Sequence, residues 1–299
     1  MQRRNLEPKF GVAPPYTRPF MPSISIDPLA EIARHVEERH GIDFGRYKPR
    51  CLMRRLNVRM RAVGADDLEA YAAYLVSHHE EADRLVEALA INFSFFYRDR
   101  GLFRILGEQV LPDLVRRFPT GPLRIWSAGC AAGEEIYSLG ILALETLAER
   151  DHGRLVLIGT DIDPPALEEA REGIYNRSKV TSLDNPLIEQ YFHPDAASGM
   201  LRVRDALRTR AQFRRADLLG PTPYRGVSLI CCRNVMIYLQ PQHQERILEH
   251  LASALRPGGV LALGRVERLT GDSRRWFDTV DAAERVYRRK CMAGESQCS

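Results

Sequence analysis

Gly129 and Gly133, with Glu134 and Glu135 directly behind them, are the residues of this chain best suited to holding a ligand. Two glycines let the backbone turn tightly and let a ligand approach without meeting a Cβ. The loop lacks the full dinucleotide pattern and has no Lys-Ser/Thr pair for a triphosphate. Acids at a helix start suit the dipole but repel phosphate. A ligand with a cationic centre and free hydroxyls fits better, and S-adenosylmethionine is such a ligand. Asp161 ends a second apolar run, where an acid can hold ribose hydroxyls. Asp163, followed by Pro164 and Pro165, reads as a helix cap. Arg233 and Asn234 follow a third run, Val227 to Cys232.

Those residues need elements to place them. Leu123 to Trp126, Leu155 to Gly159, Val227 to Cys232 and Val260 to Gly264 read as buried strands. Helical spacing fills Glu134 to Arg150 and Gln242 to Leu255. Short apolar strands alternating with amphipathic helices imply an α/β fold with a doubly wound, mostly parallel, Rossmann-like sheet. A lone glycine turn before a helix is usually only a turn; here the order of the other segments gives it meaning. Residues 1–25, with five prolines, read as a mobile tail. Residues 26–91 read as a small all-α domain, with Asp67 starting one helix. Residues 92–299 read as the sheet domain. It opens with an aromatic cluster, then a helix Gly101 to Arg117 that Asp99 is expected to cap. Turn signals and short β-like pieces, Met200 to Val203 and Ala211 to Phe213, suggest a small antiparallel insertion at about 172–213.

The sequence resembles the CheR family of chemoreceptor glutamate methyltransferases from about Ile26 to Arg289. The likeness rests on five segments in order: Asn92 to Arg98, Trp126 to Ser138, Thr160 to Asp163, Cys232 to Tyr238, and Leu255 to Gly259. The resemblance implies S-adenosylmethionine as cofactor, contacted by Asn92, Ser94, Arg98, Glu134, Asp161, Asp217, Leu218, Arg233 and Asn234. It implies Arg98 and Tyr238 at the point of methyl transfer. Three departures stand out. Ser94 replaces Thr, Asp217 replaces Asn, and Gly264-Arg265-Val266-Glu267-Arg268 replaces a Gly-His-Ser-Glu-Ser segment.

Residues 46–61 hold seven basic side chains and no acid. On a helix, Arg50, Arg54 and Arg61 share a face, with Arg55 and Arg59 beside it, opposite a stripe of Leu52, Met53, Leu56 and Met60. Such runs are often plain solvated faces. The resemblance implies instead that all five arginines dock on the acidic, helical, cytoplasmic region of a chemoreceptor. A monomer in the cytoplasm is the expectation.

Composition narrows the alternatives. The 299 residues are 44% apolar and 27% charged, with net charge +4, too small to require a nucleic-acid partner. No run approaches the ~20 apolar residues of a membrane helix. The N-terminus lacks the apolar core of a secretory signal. Six cysteines without ligand spacing imply neither metal nor disulfide framework. A nucleic-acid methyltransferase would carry an Asp/Asn-Pro-Pro-Tyr-like segment where Arg233-Asn234-Val235 stands. The alternative is a catalytically weak regulatory module that binds S-adenosylmethionine or its demethylated product.

Overall fold

The computed structural model describes residues 27–89, 94–222 and 224–291. Four helices come first: α1 (Pro28–His40), α2 (Pro49–Val63), α3 (Leu68–Ser77) and α4 (His79–Leu89). Asp27 and Asp67 cap α1 and α3 with their side chains, and Gly41 and Gly64 end α1 and α2 in the left-handed conformation. In α2 the buried residues Leu52, Leu56 and Met60 recur every fourth position. They join Ile32, Val36, Tyr71, Leu75 and Leu85 in a core of their own.

The expected helix after Asp99 is α5 (Arg100–Ile105), a π-turn (Leu106–Val110) and α6 (Leu111–Arg117). Then follow β1 (Leu123–Ala128), α7 (Glu134–Thr146), α8 (Glu149–His152), β2 (Leu155–Asp161) and α9 (Pro164–Glu172). A smaller region holds β3 (Ile174–Tyr175), α10 (Asn185–Tyr191), β4 (Phe192–Pro194), β5 (Leu201–Val203) and α11 (Asp205–Arg208). The chain ends with β6 (Ala211–Arg215), β7 (Val227–Cys232), α12 (Pro241–Ala254), β8 (Leu255–Leu263), β9 (Phe277–Asp281) and β10 (Val286–Arg289).

The main sheet runs β6-β2-β1-β7-β8-β10-β9. β6, β2, β1, β7 and β8 are parallel, and β10 is antiparallel to both its neighbours. β7 is buried along its whole length, as a central parallel strand must be. Leu229 and Cys231 face α5 to α7, whereas Ile230 and Cys232 face α12. This is a doubly wound, mostly parallel, Rossmann-like sheet, with a second, antiparallel sheet β3-β5-β4 and an all-α unit before it. Ala211 to Phe213 does not belong to the insertion: it opens β6 and pairs with β2, Leu157 opposite Ala211. Arg-Pro-Gly-Gly at 256–259 does not precede the fifth parallel strand but lies within β8, where the register with β7 shifts.

Strand order reverses at β1, whose partners on its two sides are β2 and β7. A crevice opens at the carboxyl ends of the strands at such a point. The loops after β1, β2, β6 and β7 meet there.

Candidate functional site

The loop after β1 is held in a path that few residue types allow. Gly129 has φ 86°, Ala131 48° and Gly133 92°. A Cβ at 129 would run into the Val235 side chain, and one at 133 would lie 2.9 Å from that of Ala170. Gly129 N and Cys130 N donate to Thr160 O at 2.8 and 2.9 Å. Asp161 completes the clamp. Its Oδ2 accepts from Ala131 N (2.8 Å), and its Oδ1 from Ile162 N (2.7 Å) and Asp163 N (3.1 Å). Burial pushes its pKa above the usual aspartate value, against the pull of those N–H groups.

The loop after β7 is fixed by a residue that the sequence did not single out for a role. Glu267 is 5% exposed and accepts four backbone N–H groups. Asn234 N and Gly264 N reach Oε2 at 2.9 and 2.8 Å; Val235 N and Met236 N reach Oε1 at 3.0 and 2.8 Å. This holds Asn234 at φ 60° and starts the 3₁₀ turn Met236–Tyr238. The signal was present: Glu267 is the one acid retained in the altered Gly264-Arg265-Val266-Glu267 segment. Arg265 turns to Glu284 (3.0 Å), and Val266 is 70% exposed.

One cleft gathers Ser94, Arg98, Asp161, Asp217, Leu218, Arg233, Asn234 and Tyr238. Eight of the residues expected from the sequence thus share a single wall. Asn92 lies outside the described residues. Glu134 is fully buried and is not among the lining residues. Lys179 holds its Oε1 at 2.7 Å, and the same Nζ donates to Ser94 O at 2.7 Å. Glu134 Oε2 is buried with no hydrogen-bond partner among the described residues. Its neighbour Glu135, about 100° around the helix, does line the cleft. Glu135 takes Ser127 Oγ (2.7 Å) and Arg233 Nη1 (2.9 Å).

Arg233 explains why the Asp99 side chain does not cap α5. Asp99 stands at the N-cap of α5 at φ 67°, where its carbonyl accepts Leu102 N at 3.0 Å but its side chain makes no capping hydrogen bond. Its carboxylate pairs with Arg233, whose side chain is 3% exposed. Asp163 likewise caps α9 with its backbone only: its side chain makes no capping bond, while its carbonyl accepts Leu167 N.

The all-α unit supplies part of the cleft wall, including Ile42, Arg46, Tyr47 and Leu89. Arg46 Nη1 pairs with Asp217, whose Oδ1 accepts Leu219 N (2.9 Å). Tyr47 and Leu239 form a bridge, and Lys48 N donates to Tyr238 O at 2.8 Å. Burial raises the Tyr47 pKa to about 12, so its hydroxyl is neutral at pH 7.

Tyr238 sits at the cleft beside the foot of α2. Burial raises its pKa; the charges of Arg55, Arg54 and Arg98 oppose the rise. Arg50, Arg54 and Arg61 are exposed. Arg59 is not available as expected. It turns inward to the buried Glu81, with Nε and Nη2 at 2.8 and 2.7 Å, and Tyr71 donates to the same carboxylate. The cysteines at 130, 231 and 232 are buried and free, and burial pushes their thiols well up. No helix among the described residues is long and apolar enough to cross a membrane.

Residues 92–286 match the family model described as CheR methyltransferase, SAM binding domain, and residues 27–90 match the CheR methyltransferase all-alpha domain. A chemotaxis protein methyltransferase of Klebsiella aerogenes is 33% identical over 255 residues, covering 82% of this chain and 84% of that one. One of Salmonella typhimurium is 33% identical over 248 residues, covering 80% and 83%. An uncharacterized 104.1 kDa protein of Rhodobacter capsulatus is 32% identical over 250 residues, or 82% of this chain but only 26% of that protein.

Proposed function

Because the chain belongs to the CheR methyltransferase family and S-adenosylmethionine is its cofactor, we propose that it methylates glutamate side chains on a chemoreceptor. The acceptor region is helical and acidic, and the enzyme acts as a cytoplasmic monomer. The observation that carries this reading is the cleft at the switch point of the sheet, where Arg98 and Tyr238 share one lining with the glycine loop and Asp161.

The residues suit the cofactor. Asp161 offers an acceptor for ribose hydroxyls beside the glycine loop. Glu134 Oε2, buried without a hydrogen-bond partner among the described residues, has the charge to suit an ammonium group, although Glu134 is not itself among the lining residues. Gly129 and Ala131 line the cleft with small residues, so the loop after β1 can lie close to the cofactor. Ser94, Leu218, Arg233 and Asn234 complete the wall, and Asn92 joins them by resemblance. When bound, S-adenosylmethionine supplies an electrophilic methyl group on a sulfonium.

The acceptor needs no general base. A glutamate, with a pKa near ~4.3, is already ionised at neutral pH. The protein's task is to hold one carboxylate oxygen in line with the methyl carbon. Arg98 orients the carboxylate, since a guanidinium matches it geometrically. The neutral Tyr238 hydroxyl donates a hydrogen bond to it. With the cofactor bound, Arg98 and Tyr238 would hold the acceptor oxygen against the methyl carbon that the sulfonium would release. The Glu267 clamp keeps Tyr238 in place without contacting the substrate.

The test is incubation with labelled S-adenosylmethionine and candidate receptor fragments, scoring label released by base as methanol. Base-labile label supports glutamate ester formation; base-stable label refutes it. Tight cofactor binding with no transfer to any fragment favours the regulatory module instead.

A further inference from the structure

Arg98 sits between two residues that carry a Cβ and yet take the left-handed conformation, Tyr97 at φ 53° and Asp99 at φ 67°. Such backbone persists only where its surroundings hold it. Here both flanks are held. Tyr97 N donates to Ser138 Oγ on α7 at 3.0 Å, and the Tyr97 ring stacks on Phe103 with centroids 4.6 Å apart. On the other flank, Arg233 Nη2 donates to Arg98 O at 3.1 Å, and the same guanidinium pairs with the Asp99 carboxylate. We propose that Asp99 and Arg233 form a latch that aims the Arg98 side chain at the acceptor carboxylate. This rests on placing Arg98 at the point of methyl transfer.

The latch is stiff because each of its parts is tied elsewhere. Arg233 Nη1 donates to Glu135 Oε2 at 2.9 Å, and Glu135 in turn accepts Ser127 Oγ at 2.7 Å. A planar guanidinium holds its partners in a fixed fork, so one side chain sets the end of β7, the first turn of α7 and the entry to α5 against one another. The Arg233 side chain is 3% exposed, and buried charge pairs are screened much less than surface ones. The Asp99 carbonyl is committed to α5 through Leu102 N, and the Asp99 carboxylate to Arg233. Upstream, Phe96 N donates to Lys179 O at 3.0 Å. The backbone at Arg98 is thus fixed from both directions, and with it the direction in which the side chain leaves the chain. Asp99 and Arg233 are positioning residues: they act on the acceptor only through Arg98.

Alignment is what such a device protects, since a misplacement of about 1 Å can cost ~100-fold in rate. Asn tolerates the left-handed conformation as Asp does, so Asp99→Asn removes the charge and keeps the shape.

The experiment is steady-state methylation by the full chain, with labelled S-adenosylmethionine and the receptor fragment that the parent labels. Asp99→Asn should lower kcat about tenfold or more, while the Kd for S-adenosylhomocysteine, read by calorimetry, stays within about twofold of the parent's. Asp99→Glu, which keeps the charge, should retain more activity than Asp99→Asn. In the Arg98→Ala background Asp99→Asn should lower kcat no further, because residues that act through one another are not additive. Asp99→Gly is the second variant. Glycine takes this φ without strain, so the unfolding midpoint should stay near the parent's while kcat still falls. Parent kcat in Asp99→Asn and Asp99→Gly overturns the inference. So does a loss of equal size with and without the Arg98 side chain, which is what an ion pair that only supports the fold would give. If Arg98→Ala methylates at the parent rate, the placement of Arg98 fails and takes the inference with it; if Arg98→Ala is slow while the variants at 99 are not, only the present inference fails.

Discussion

Asp161 serves two masters with one carboxylate. It holds the glycine loop through Ala131 N and its own turn through Ile162 N and Asp163 N, and in the complex we propose it would offer its remaining lone pairs to ribose. Asp161→Ala should therefore weaken S-adenosylmethionine binding by about 1.5–3 kcal/mol, the range for hydrogen bonds to charged groups. Calorimetry on the folded variant checks this, and unchanged affinity would move the ribose elsewhere. Burial raises the pKa of this carboxyl. Binding that needs its ionised form is thus complete above the raised pKa and is lost as pH falls through it. The loss should begin above the ~3.9 of a free aspartate. Asp161→Asn should remove that pH dependence. Turnover is a separate matter. Arg98→Ala should lower kcat far more than it shifts the unfolding midpoint, and Tyr238→Phe should do so more mildly; wild-type rates in both would exclude them from the methyl-transfer point. The strand-end position of Asp161 was legible in the chain. Its grip on Ala131 was not, because that depends on a left-handed backbone path that no apolar pattern records.

Helix α2 divides its arginines between two tasks. Arg50, Arg54 and Arg61 face outward, while Arg59 closes on the buried Glu81. Reversing Arg50, Arg54 and Arg61 to Glu should raise the KM for receptor and leave cofactor affinity unchanged. Single exposed pairs contribute only about 0–1 kcal/mol, so one reversal should scarcely register. The parent KM should climb with salt, since charges are screened over about 8–10 Å at moderate ionic strength. Steady-state kinetics at two salt concentrations checks both, and normal receptor kinetics in the triple variant would refute the docking role. Arg59→Ala should behave differently. It leaves Glu81 buried with one partner fewer and should cost about 3 kcal/mol of stability, read from urea unfolding. The spacing of Leu52, Leu56 and Met60 told which face of α2 is buried. It could not tell that Arg59, at the edge of that face, meets an acid on α4. Tertiary pairing decides such border positions, and a helical period is blind to it. Asp99 was misread for the same reason: its partner Arg233 is 134 positions away.

At the scale of the whole molecule, the segment 45–48 supplies several of the hydrogen bonds that join the two units, beside that of Arg215 Nη2 to His40 O. Gly45 O and Tyr47 O accept Gln240 Nε2, Ile237 O accepts Lys48 Nζ, and Tyr238 O accepts Lys48 N. Lys48→Met should loosen Tyr238 and reduce kcat several-fold with little change in cofactor affinity; equal losses in both would mean that the segment acts on the entire cleft. The layered architecture was legible from alternating apolar runs, but the two last strands were not. Phe277–Asp281 and Val286–Arg289 carry few buried residues each; β10 takes its place from pairing with β8, and β9 from pairing with β10. That sheet order also has a consequence in time. The contacts of the all-α unit are local, so it can fold as soon as Leu89 leaves the ribosome. β1 waits in the middle of the sheet for β7, and β7 for β8. At ~5–20 residues per second, the ribosome needs roughly 9–35 s to travel from Leu89 to Leu263. Through that interval a finished helical unit, with its cationic face exposed, is tethered to a half-built sheet in which β1 has β2 on one side and nothing yet on the other. The nascent chain is therefore able to meet an acidic partner before it has a pocket for its cofactor, and chaperones that shield bare strands would be needed only by the part that follows the helical unit.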